Sequence, residues 1–178
     1  NMPGPNAYKP DDVVRGLSGK TIEVINTDAE GRVVLSDAIE YANKLKVDEM
    51  VDLATLTGAC MVALGNYTAG LFSNNITLKD KLLKASLMSG EKMWQLPLDE
   101  ELRSSIDSQV ADVKNSASTR YGGAITAAMF LEFFVDKKVP WSHIDIAGPA
   151  YIDKDRGWCA PGSTGFGVRS LINYLNLS

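Results

Sequence analysis

The stretch "GGAITAAMFLEFFVD" (122–136) constrains this chain more than any other. It is apolar on nearly every face, so a helix built from it has no side that prefers water. It is too short to cross a bilayer, and no uninterrupted apolar run in the chain approaches that length. The helix must therefore be enclosed by other elements of a folded domain, with Gly122 and Gly123 opening it. With 178 residues, 45% of them apolar and 22% charged, the chain has room for a real core.

The enclosing elements can be read from periodicity. "KTIEVIN" (20–26), "EMVDLATL" (49–56), "AGLFSN" (69–74) and "WSHIDIAG" (141–148) have the composition of strands. Over 33–45 the residues Val34, Leu35, Ala38, Ile39, Tyr41, Ala42 and Leu45 recur at helical spacing. A tight helical turn is expected at 58–65, an amphipathic helix over 80–89 stopped by Gly90, a helix around 99–106 in the polar stretch 94–120, and a closing helix over 165–177. Residues 1–19, punctuated by Pro3, Gly4, Pro5, Pro10, Gly16 and Gly19, read as loop. Strands alternating with helices predict an α/β fold with a mostly parallel central sheet and helices on both faces. In that class ligands sit at the carboxyl ends of strands, near helix N-termini.

Charge and cysteine content exclude some functions. Eighteen basic residues against 22 acidic ones leave a net charge of −4, which disfavours nucleic acid as the main partner. There is no basic segment followed by a short apolar one, so no secretory signal is visible, and no membrane partner is expected. Cys60 and Cys159 are too few for a disulfide framework and read as reduced, structural thiols of a cytoplasmic protein. The chain opens on Asn1 in the Pro/Gly-rich "NMPGPNAYKP", which looks like the middle of a longer polypeptide.

One motif stands out between two buried-looking segments: Asp28, Glu30 and Arg32 alternate with the small Ala29 and Gly31. Read as extended chain at the end of the first strand, with a helix starting near Arg32, the three charged side chains would share one face. Two neighbouring carboxylates in a half-buried place are costly unless compensated, and divalent cations compensate them. On spacing alone the plainer reading is preferred, in which Asp28 caps the helix, Glu30 supports its first turn and Arg32 pairs with either.

The string "NTDAEGRVVLSDA" resembles the signature of the leucine aminopeptidase (cytosol aminopeptidase) family. "NMPGPNAYKPDDVV" precedes it, and "DLATLTGACMVALG", "GLFSNN", "MWQLPL", "ADVKN", "GGAITAAMFLEFFV", "WSHIDIAG" and "STGFGVRSLINYL" follow in family order, so the resemblance covers essentially the whole chain. It implies a two-metal exopeptidase that releases N-terminal residues from peptide substrates. By this resemblance Asp28 ligates one metal and Glu30 bridges both. Arg32 is the catalytic residue beside the reacting carbonyl, with a bicarbonate-like anion held there by the backbone of Gly31 and Leu56. Thr55, Leu56 and Gly58 line the substrate, and Ala147 and Ala150 lie near the pocket for an apolar, leucine-like first side chain. The implied cofactors are two divalent ions, manganese or zinc. The implied assembly is a homo-oligomer, a hexamer in the intact protein. Two cations at this spacing can share a hydroxide and polarise a peptide carbonyl, and an arginine complements the oxyanion that follows.

The resemblance also marks what is lacking. The family's remaining ligands, one Lys and two Asp, and a catalytic Lys come from upstream of the "NMPG" loop. Residues 1–178 are thus expected to be the C-terminal portion of a catalytic domain, without the N-terminal domain. Alone they should bind metal weakly and hydrolyse nothing measurable. Two other classes stay open: a non-catalytic assembly or regulatory module of the same family, and an α/β domain that binds an anionic small molecule at Gly31–Arg32. His143, the single histidine, reads as a core residue, and Trp94, Trp141 and Trp158 as core or subunit-contact aromatics.

Overall fold

The apolar run at 122–136 becomes a helix whose residues Ala127 to Leu131 are completely buried, and the surrounding elements are arranged to cover it. The structure, a computed structural model, describes residues 4–177; Asn1, Met2 and Pro3 of the expected N-terminal loop lie outside the described residues, as does Ser178. In chain order the elements are β1 (Val13–Arg15), β2 (Thr21–Glu23), a 3₁₀ turn (Thr27–Ala29), α1 (Glu30–Lys44), β3 (Met50–Ala54), α2 (Gly58–Leu64), β4 (Ala69–Ser73), α3 (Ile76–Ser89), β5 (Met93–Gln95), a 3₁₀ segment (Glu100–Ile106), β6 (Val113–Lys114), α4 (Gly123–Glu132), β7 (Trp141–Asp145), β8 (Tyr151–Ile152), β9 (Gly162–Ser163) and α5 (Val168–Leu175). They fall into two compact units, Asn1–Met50 with Leu98–Val139 and Val51–Pro97 with Pro140–Ser178.

In the first unit α4 packs against α1 and the 3₁₀ segment. Gly122 starts α4 from the left-handed region (φ 63°, ψ 22°), and a Cβ there would run into the Leu102 side chain. The helix stops at Glu132, earlier than the sequence pattern suggests. Lys20 Nζ donates to the carbonyl of Phe133 at 2.7 Å and lies 4.3 Å from the centre of that ring, supplying a cation at the helix C-terminus. The unit's sheet runs β1–β2–β6, with β1 antiparallel and β6 parallel to β2.

In the second unit a four-stranded sheet has the order β3–β7–β4–β5. Its core holds Leu71, Leu78, Leu82, Ala85, Ile144 and Tyr174, where α3 packs on α5 and on β4 and β7. Gly90 ends α3 in the left-handed conformation, as its position in sequence predicts. β5 is parallel and β7 antiparallel to β4. A small antiparallel pair, β8–β9, completes the unit.

The α/β class is as expected, but the strand directions are mixed rather than mostly parallel. Strand composition carries no direction. β7 returns from a long excursion and inserts between β3 and β4, a placement set by where its fully buried face fits. β1 also lies inside the stretch read as loop; it is short, half-exposed, and formed by pairing Val13–Arg15 with Thr21–Glu23 across a turn. Among the described residues no helix is long and apolar enough to cross a membrane.

Gly148 shows how closely the second unit is packed. A Cβ at this buried position would collide with the carbonyl oxygen of Gly65 and meet the Cα of Asn66 at 3.3 Å. Because the obstacle is backbone, Gly148→Ala is expected to cost about 1–3 kcal/mol or more in urea or thermal unfolding. Val34→Ala, on an exposed helix face, should stay within about 0.5 kcal/mol.

Candidate functional site

The acidic motif is built by its neighbours. After β2 the chain stays extended as far as Asn26 (φ −135°, ψ 119°), whose side chain accepts the amide of Asp28 at 2.9 Å and starts the 3₁₀ turn. Asn26, not Asp28, is the cap. α1 begins at Glu30, two residues before the expected start near Arg32. Residues 28–32 are therefore not extended, and the single face expected for Asp28, Glu30 and Arg32 does not arise by strand alternation, since residues two apart on a helical turn diverge. Capping chemistry, which the alternation pattern ignores, decides the point.

Asn115, just after β6, holds this turn from below and was not singled out by the sequence reading. It is completely buried. Its Oδ1 accepts the amides of Ile25 (2.8 Å) and Asn26 (3.2 Å), its Nδ2 donates to the Asn26 carbonyl (2.7 Å), and its own amide donates to the Glu23 carbonyl (2.9 Å). Its carbonyl accepts Nη1 of Arg32 at 2.8 Å. Arg32 is only 8% exposed, and this contact helps hold its guanidinium. The signal in sequence was a lone Asn at the end of the polar "ADVKN", with nothing local to reveal its partners ninety residues away.

Asp28 is exposed, and among the described residues its carboxylate makes no hydrogen bond or ion pair. Glu30 is half-buried, and its Oε2 is fully buried with no hydrogen-bond partner among the described residues. Burial, and secondly the Glu30 carboxylate, raise the Tyr8 phenol above its ordinary value. A buried carboxylate oxygen with no donor is costly, and a hard cation removes that cost. The Glu30 oxygen thus fits a ligand for a divalent cation. No three His, Cys, Asp or Glu residues gather among the described residues, so Asp28 and Glu30 provide only part of a coordination shell. Gly31 lies exposed in the first turn of α1, where backbone amides lack helical acceptors.

The second unit carries the other expected site residues. Thr55 and Gly58 are exposed and Leu56 is half-buried, in the turn between β3 and α2. Thr57 caps α2 by accepting the Cys60 amide at 3.0 Å. Ala147 and Ala150 are half-buried beyond the end of β7, where the Ile146 amide donates to the Ala54 carbonyl at 2.8 Å. The carboxylate of Asp145 joins Leu56, Thr57 and Ala147 through their amides. The Leu56 amide that the resemblance assigns to an anion is accordingly already engaged, at 3.2 Å. His143 is wholly buried in β7, stacked against Phe72 and Trp141; its Nδ1 lies 2.5 Å from Asp52 Oδ1, while Trp141 Nε1 donates to Oδ2 of the same carboxylate at 2.7 Å. Trp141 is core, whereas Trp94 and Trp158 are largely exposed.

This fold is that of an α/β exopeptidase domain. A structure of a tomato leucine aminopeptidase variant superimposes with a TM-score of 0.94 at 46% identity, covering 100% of this chain and 34% of that one. A bottromycin maturation enzyme matches with a TM-score of 0.95 at 46% identity, over 99% of this chain and 39% of that one. The catalytic-domain profile of the cytosol aminopeptidase family matches residues 1–172, and the chain belongs to that family. Proteins named "Probable cytosol aminopeptidase" from Aquifex aeolicus and Persephonella marina are 55% and 54% identical over 98% of this chain, which spans 36% and 35% of their lengths. The chain thus covers about a third of these relatives.

Two measurements check this description. Asn115→Ala strands two amides and a carbonyl, so it should cost about 2–4 kcal/mol of stability in denaturant titration. The second concerns Cys60, whose thiol burial, and secondly the Asp145 charge, push up to about 11 from 9.0. Its folded pKa lies above the unfolded one, so the associated stability is complete below pH 9 and is lost as pH rises towards 11. At pH 8 the half-buried Cys159 should react with iodoacetamide well before Cys60.

Proposed function

We propose that the protein is a two-metal aminopeptidase that removes apolar N-terminal residues from peptides in the cytosol and works as a hexamer. The observation that carries the reading is the buried Oε2 of Glu30, without a hydrogen-bond partner among the described residues, inside the N-T-D-A-E-G-R string. A carboxylate oxygen in that state is a ligand waiting for a cation. Family membership supports the peptidase chemistry.

In this reading Asp28 and Glu30 hold the metals, with manganese and zinc as the candidates. Bound divalent cations supply Lewis acidity towards the scissile carbonyl and lower the pKa of an attacking water. Arg32 brings a permanent positive charge, anchored through the Asn115 carbonyl, to steady the oxyanion that develops and a bicarbonate-like anion beside it. Gly31 offers its backbone amide to that anion, whereas the Leu56 amide is held by Asp145. Thr55, Leu56 and Gly58 line the substrate, and the small Ala147 and Ala150 leave space for an apolar first side chain. Two carboxylates fall short of a full coordination shell, so residues 1–178 on their own bind cations weakly and do not turn over.

The test is hydrolysis of leucine p-nitroanilide by the protein expressed from its whole reading frame. Activity should vanish on chelation and return with manganese or zinc. Glu30→Gln should lower kcat/KM by about 100-fold or more, since even residues that merely orient ligands cost up to that. Unchanged kcat/KM in Glu30→Gln, or indifference to chelation, would overturn the reading. Isothermal titration of residues 1–178 alone should show only weak manganese or zinc binding; tight binding would contradict the shared-cage part of the proposal.

A further inference from the structure

The second unit buries a charge that the mechanism above does not use. Asp145, at the end of β7, is 1% exposed and makes no ion pair among the described residues. Four donors compensate it instead. Its Oδ1 accepts the amides of Ala147 (3.1 Å), Leu56 (3.2 Å) and Thr57 (3.4 Å), and its Oδ2 accepts the Thr57 hydroxyl at 2.6 Å. Every partner is a donor, so the site requires a group that only accepts; an ionised carboxylate is such a group and an amide is not.

The polarity of the network is fixed from both sides. Thr57 Oγ1 accepts the Cys60 amide as the cap of α2, so its one proton is available for Asp145. One carboxylate thereby ties together three pieces of chain: the turn after β3, the first turn of α2, and the segment leaving β7. The first and last of these carry Leu56 and Ala147. Their separation is set by two hydrogen bonds to a single oxygen rather than by the sheet alone.

We infer that Asp145 is a positioning residue for substrate binding, holding the Thr55–Leu56 turn and the Ala147 segment at a fixed spacing. This rests on the proposed function, in which both segments touch the substrate. Asp145 itself touches neither substrate nor metal. Its loss lets the two segments move apart, and small misplacements of binding groups are expensive in catalysis.

The experiment compares Asp145→Asn, Thr57→Val and Thr57→Ser in the protein expressed from its whole reading frame, with rates normalised to titrated active sites. Asp145→Asn keeps one acceptor oxygen but turns an amide group towards a hydroxyl that needs an acceptor. The KM for leucine p-nitroanilide should rise about tenfold, with kcat falling less. Thr57→Val, which leaves the carboxylate in place, should shift KM in the same direction, and Thr57→Ser should restore it. Amide exchange at Leu56 and Thr57 should quicken in Asp145→Asn. A purely structural role would reduce the folded fraction and the melting temperature while leaving KM per active site unchanged. Unchanged KM in both Asp145→Asn and Thr57→Val, with an active parent, overturns this inference alone; if Asp145→Asn does not fold, Thr57→Val decides. A parent that does not hydrolyse the anilide sinks the proposed function and this inference with it.

Discussion

The side-chain amide of Asn115 is the interaction on which the acidic turn depends. A chain leaving a strand and entering a helix exposes backbone groups that neither element satisfies, and in a buried place these need partners. Asn115 supplies donor and acceptor at once to residues 25 and 26, while its backbone reaches Glu23 and Arg32. With the backbone satisfied by one neutral residue, the carboxylates of Asp28 and Glu30 are not consumed in capping. They remain available for a cation because other groups perform the local structural work.

Asp145 repeats the device in the second unit with a different chemistry. There the turn after β3 offers donors only, so the buried residue carries a charge and needs no amide. A half-buried carboxylate, Asp52, contacts Nδ1 of His143 and accepts Nε1 of Trp141, and so keeps the single histidine inside β7. Each of these groups is costly to bury alone and stabilising once its partners are in place. Together they give each unit specific turns rather than a generic apolar core.

Much of the fold was legible from local pattern. The strands β2, β3, β4 and β7 and the helices α1 to α5 follow from local composition and spacing, α4 from its unbroken apolar run, and Gly90 and Gly122 sit at helix ends where backbone conformation demands them. The short elements β1, β5, β6, β8 and β9 were not legible, because two or three residues carry no period and become strands only by pairing with distant chain. At the site, the residue types in "NTDAEGR" pointed to divalent-cation chemistry. Their conformation was misjudged: alternation of charged and small residues reads as extended chain, whereas the Asn26 cap closes a turn.

By itself, then, the sequence determined the α/β class, the enclosed helix at 122–136 and the family, since these follow from side-chain period, apolar content and an uninterrupted order of short strings. Tertiary structure alone decided strand direction, the solitary state of the Glu30 oxygen, and the roles of Asn115 and Asp145. The physical reason is common to all of these. Whether a polar atom is satisfied depends on which donors lie within about 3 Å of it, and for Asn115 and Asp145 most of those donors come from chain some ninety positions away.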